Sequence, residues 1–119
     1  MFFMQVSAII DEMRALDPAL PKVFLKINNR KNAYPGAAYR KEYKIVIARY
    51  MENCSKDLLY HVVVHELIHT WFRVGHFRSC PLMTSRVNVD KPVPKEQVNA
   101  IFKEYFNKYK GNLNVQPRL

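Results

Sequence analysis

The sequence predicts an α+β fold: an N-terminal helix, a small three-stranded sheet (antiparallel or mixed), one long central helix and more helix toward the C-terminus. Three observations predict it. Apolar residues recur at helical spacing near both ends of the chain. Short alternating or β-branched runs lie between them. The apolar stretch from Leu58 to about Val74 is too long for a strand. At 119 residues, the chain is expected to form one domain over 1–119.

The elements follow in order. Phe2, Val6, Ile9, Met13 and Leu16 recur at spacings of three and four, and Asp17-Pro18 should stop that helix. Val23, Leu25 and Ile27 alternate with Phe24 and Lys26 as in a strand. Tyr34-Pro35-Gly36 punctuates a loop. Two further strands are expected over Ala37–Tyr39 and Tyr43–Ala48, with Tyr43, Ile45 and Ile47 on one face. Ser55 is the expected N-cap of the long helix, with Asp57 in its first turn, and Gly75 is the expected left-handed stop. A short helix is expected over about Ser79–Val87. A last helix over about 94–110 carries the stripe Val98, Ile101, Phe102, Tyr105 and Tyr109. It is expected to pack on the body as a third layer, the other reading being a cover over the site. The tail 111–119 is expected to be loose.

Charge and cysteine content narrow the function classes. The net charge of +9 favours anionic partners. Cys54 and Cys80 are too few for a disulfide scaffold and read as free thiols of a reducing compartment. No run approaches the roughly 18 apolar residues of a membrane span. Met1–Ile10 lacks a basic flank and runs into Asp11 and Glu12, so a cytoplasmic location without a membrane partner is expected.

The chemistry lies in His65-Glu66-Leu67-Ile68-His69. Positions i and i+4 share a helix face, so both imidazoles can bind one metal ion from the same side. Glu66 sits beside that metal and can serve as general base. The other reading is a pair of core histidines, which leaves a buried Glu66 in need of a partner. A catalytic zinc needs a third protein ligand. His76 is expected, because the chain can turn back at Gly75. His61, Cys80, Glu96 and Glu104 are its rivals. His61, His65 and His69 along one straight helix would splay too far for tetrahedral geometry. A metzincin continuation fails, with Phe72 and Gly75 at its glycine and third-histidine positions, so Met83 is expected in the core.

Tyr43–Ala48, then His65-Glu66-Leu67-Ile68-His69-Thr70-Trp71-Phe72, then Gly75-His76, Met83 and Val87-Asn88 together resemble the SprT-like zinc metallopeptidase family. The resemblance spans Pro35 to Asn88. It implies a hairpin before the active-site helix, His76 as third ligand, one Zn2+ per chain and Glu66 as catalytic base and later proton donor. It implies hydrolysis of peptide bonds in proteins bound or crosslinked to DNA. The sequence is compact and lacks the cysteine-rich zinc ribbon of some members.

A basic stretch gives that partner separate support. Lys22, Lys26, Arg30, Lys31, Arg40, Lys41 and Lys44 crowd the sheet region, against the one acid Glu42. Phe24, Tyr34, Tyr39 and Tyr43 interleave with them, a pattern that suits single-stranded DNA. Strand alternation, however, predicts that these aromatics turn into the core. Two other function classes stand beside the peptidase: a nucleic-acid-binding module with a structural zinc, and a zinc hydrolase of non-peptide substrates.

Overall fold

The computed structural model describes residues 1–39 and 41–114. Its elements are α1 (Phe2–Arg14), β1 (Phe24–Asn28), β2 (Gly36–Tyr39), β3 (Lys44–Ala48), α2 (Lys56–Phe72) and α3 (Lys95–Tyr109), with 3-10 turns over Arg49–Asn53 and Lys110–Asn114. The α+β class holds, and the sheet is mixed. Its order is β1-β3-β2, with β3 parallel to β1 and antiparallel to β2.

α2 forms the centre of the molecule. Ser55 accepts the Leu58 amide at 3.1 Å, satisfying one of the helix's unpaired N-terminal donors. Every residue from Leu58 to Phe72 is buried. A helix buried all round has no solvent face, so it must be covered on several sides. The sheet covers one side through Ile45 and Ile47. α1 and α3 cover others through Phe2, Val6, Ile10 and Met13, and through Val98, Ile101, Phe102 and Tyr105. Phe102 lies edge-on to Trp71, with centroids 5.9 Å apart. Trp71 donates its indole N–H to the Pro21 carbonyl at 3.0 Å. α3 is thus a packing layer and does not line the cleft described below.

Four expectations are corrected. The left-handed residue ending α2 is Arg73 (φ 57°), not Gly75; its N–H bonds the His69 carbonyl. The helix stops early because the Val74 carbonyl must turn back toward the His69 ring. Residues 79–87 form successive turns instead of a helix, since Leu82 and Met83 are drawn down into the core. Residues 111–114 are a 3-10 turn, tied to α2 by an Asn112 side-chain bond to the Phe72 carbonyl; 115–119 lie outside the described residues. Phe24 and Tyr39 point to solvent, because Val23, Leu25, Ile27, Ile45 and Ile47 already fill the inner face of the sheet, and Tyr34 is exposed in the connection before β2. Only Tyr43 packs partly against the core, as alternation predicts. Among the described residues no helix is long and apolar enough to cross a membrane.

Candidate metal centre

His65 and His69 stand one turn apart on the buried wall of α2. His65 Nδ1 donates to the Leu82 carbonyl at 2.7 Å, and His69 Nδ1 donates to the Val74 carbonyl at 2.7 Å. A carbonyl only accepts, so each ring carries its proton on Nδ1. Both Nε2 atoms are then lone-pair acceptors, and they face each other at 3.1 Å. Two lone pairs at that distance repel. A bridging proton would require a cationic ring, and burial opposes that: it pulls His65 down to about 4. A metal cation between the two nitrogens satisfies both. Ligand nitrogens 2.0–2.1 Å from a tetrahedral ion lie about 3.3 Å apart, close to the spacing seen. The donor set therefore fits a metal ion, and the two carbonyls are the outer partners that fix such ligands.

His76 completes the group. Its ring stacks on His65 with centroids 5.3 Å apart and meets His69 edge-on at 4.8 Å. The ligand atoms of His65, His69 and His76 all lie within 4.8 Å of one another. His76 reaches the site because the loop after α2 folds back, held by the Phe77 amide on the Met83 carbonyl at 2.9 Å. His76 is exposed while its two partners are buried, so the group opens to solvent on one side.

The rival ligands go elsewhere. His61 Nδ1 accepts the Val93 amide at 3.0 Å, which leaves its proton on the buried Nε2. Burial also lowers the His61 pKa. Cys80 and Glu104 line a separate groove with Phe77 and Tyr105. Glu96 is exposed in the first turn of α3.

Glu66 lies in the same cleft as the three histidines, a space of about 380 Å³. Burial pushes its carboxyl up to about 7. Gly36, at the start of β2, makes the room for it: a Cβ there would sit 2.8 Å from Glu66 Cγ and Oε2. Tyr34 and Pro35 extend this wall, and Ser85 and Val87 form the opposite one. Sequence reasoning read Tyr34-Pro35-Gly36 only as loop punctuation. A glycine opening a strand is the available signal of close approach. Nothing in the side chains of Val74 or Leu82 advertises that their carbonyls hold the histidines.

Of the basic residues singled out, Lys26 lies exposed on the outer sheet face and Lys44 is half-buried beside it. Lys22, Arg30, Lys31 and Lys41 are exposed in the flanking connections. Arg40 lies outside the described residues. Compared with protein-family models, curated proteins and solved structures, the chain matches none.

Proposed function

We propose that this protein is a zinc-dependent metalloendopeptidase of the SprT-like kind. The observation that carries the reading is the pair of carbonyl-pinned histidines. Their Nε2 atoms converge at 3.1 Å in a cleft shared with His76 and Glu66. His65, His69 and His76 would hold the ion. A zinc ion there supplies Lewis acidity, acidifying water and polarising a carbonyl.

The chain's own residues supply the rest. A buried carboxylate placed beside the ion can take a proton from water and give it back within one turnover. Glu66 Oε2, beside Gly36, holds that proton and passes it to the leaving amine nitrogen. Tyr34 and Ser85 carry the cleft's hydroxyl donors for charge developing on the carbonyl oxygen. Edge strand β2, paired on one side only, borders the cleft through Gly36 and Ala38. An extended peptide can add to such an edge, which favours a peptide over a small non-peptide substrate. A closed structural zinc would need a fourth ligand, and His61 and Cys80 are both turned away.

Elemental mass spectrometry of wild type and His76→Ala, with cleavage of an unfolded protein by wild type and Glu66→Gln, tests the proposal. The expected result is about one zinc per wild-type chain. His76→Ala should hold less, and Glu66→Gln should be loaded but inactive. A metal-free wild type after zinc is supplied would overturn the reading, as would full activity in Glu66→Gln.

A further inference from the structure

The loop that carries His76 has a second wall. His76 lines the metal cleft, and Phe77, the next residue, lines a separate groove of about 340 Å³. Three rings stand in a row there. Phe77 and Tyr105 have centroids 6.0 Å apart, and Tyr105 and Tyr109 stack at 5.7 Å. Tyr105 and Tyr109 lie one turn apart on α3, so the helix fixes their spacing. Pro81 and Ile101 add further apolar surface. Tyr105 is buried, and the Lys108 ammonium lies 5.4 Å from the Tyr109 ring centroid. Phe77 is 39% exposed, so its ring is the one left uncovered.

The groove is not built for an anion. Glu104 and Lys108, one turn apart on α3, flank it with opposite charges that cancel, on a chain whose net charge is +9. Its occupant is therefore neutral and apolar. Its size lies at the small end of ligand pockets, which start at about 300 Å³. That admits a large side chain, and no helix or folded partner. Consecutive Cα atoms are about 3.8 Å apart, so a ridge with one ring on each flank is on the order of 10–15 Å across. An extended chain advances about 3.3 Å per residue and crosses that ridge in about three to five residues.

We infer that this groove is a second substrate-binding site beside the metal cleft. It takes an aromatic side chain of the substrate polypeptide, about three to five residues from the scissile bond. The Phe77 ring gives another ring an edge or face contact beyond simple burial, which favours an aromatic over an aliphatic side chain. Large rings are exposed in unfolded chains and mostly covered in folded ones. The substrate class is thus unfolded polypeptide with an aromatic residue near the cleavage point. The inference rests on the peptidase reading of the cleft.

Two measurements test it. In the first, heteronuclear NMR follows zinc-supplied Glu66→Gln titrated with a Gly/Ser peptide carrying one Phe, and with the same peptide lacking it. Amide shifts at Phe77, Tyr105 and Tyr109 are expected with the Phe peptide alone, whether or not the protein cleaves peptides. No shift at these residues would overturn the inference.

In the second, a site that wild type cleaves in an unfolded protein is made into a peptide with Gly/Ser arms. One Phe is then stepped outward along each arm. On one side, kcat/KM should peak when the Phe stands about three to five residues from the bond. The peak should be about tenfold above the Phe-free peptide and come from KM. Phe77→Ala should lose that peak, as should Ser79→Trp, which fills the groove from an exposed position. Both should cleave the Phe-free peptide like wild type, and Phe77→Tyr should keep the peak. A flat profile in wild type would overturn the inference, as would an undiminished peak in both variants. A zinc-loaded wild type that cleaves no peptide would instead refute the peptidase reading, and this substrate role with it; the NMR titration then tells whether the groove binds the ring at all.

Discussion

Gly36→Ala is the substitution that asks most of the site. The added methyl carbon would stand 2.8 Å from Glu66 Cγ and Oε2 and 3.1 Å from Val62 Cγ1. Carbon atoms at rest lie about 3.5–4.0 Å apart, so Glu66 or β2 must give way by about 1 Å. The carboxylate end alone cannot absorb this, because Cγ is struck as well and Glu66 is buried. Overpacking of this size costs about 1–3 kcal/mol, and exchanging glycine for alanine in a strand returns about 0.5–1 kcal/mol. The net loss of stability should be about 0–2.5 kcal/mol, which leaves the protein folded. A catalytic group misplaced by about 1 Å can lose about a hundredfold in rate. The expected result is a folded, metal-loaded variant with kcat/KM on an unfolded-protein substrate reduced by about that factor. Gly75→Ala is the control, since a Cβ there meets nothing within 4 Å. Wild-type kcat/KM in a folded, loaded Gly36→Ala protein would refute the claim that β2 positions Glu66 as the base.

Three further outcomes are expected. Glu66→Gln should retain zinc while losing about 100- to 10,000-fold in rate, the usual worth of a general base; unchanged cleavage would remove Glu66 from the chemistry. Metal-free protein should lose stability as pH falls below about 6.5, where unfolded imidazoles take up protons that buried His61 and His65 refuse. For His65, lowered from 6.5 to about 4, the loss amounts to about 3 kcal/mol by pH 4. Glu66, raised from 4.5 to about 7, acts oppositely, favouring the fold at low pH and weakening it as pH rises through 7. Denaturant melts with chelator should therefore show a steeper acid loss in Glu66→Gln than in wild type; a flat profile in that variant between pH 7 and 5 would contradict the burial argument. Ser55→Ala should lower stability by about 1 kcal/mol through loss of the Leu58 amide bond, read as a drop in Tm without change in metal content.

Much of this arrangement is legible in the sequence, and the limits are physical. α2 shows itself because a long, mainly apolar stretch with a serine cap allows few alternatives. The pairing of His65 with His69 follows from helix periodicity alone. The placing of His76 at the same cluster needed only the idea that the chain turns back beyond the helix. How it turns was not legible: a left-handed Arg73 is unfavourable locally, and the Val74 and Leu82 carbonyl contacts draw the loop in. The parallel pairing of β1 with β3 was likewise not legible, because alternation along a strand carries no information on its direction relative to a neighbour. Residues 79–87 carry helix-like spacing, yet burial of Leu82 and Met83 wins over it. Alternation located the strands correctly but misjudged Phe24 and Tyr39. It reports only that a residue shares a face with its neighbours two away, and the inner face was already full.

The carbonyls of Val74 and Leu82 are main-chain groups, and that sets what this region tolerates. No side-chain exchange at either position removes an acceptor. The spacing between them does matter, because the two acceptors must arrive together at two rings fixed one helical turn apart. Apart from His76, residues 75–81 are thus constrained by the metal centre in length far more than in composition. Substitutions at exposed Ser79 or Pro81 should leave metal affinity nearly unchanged. Deleting one residue there should shift one acceptor off its ring and abolish tight metal binding.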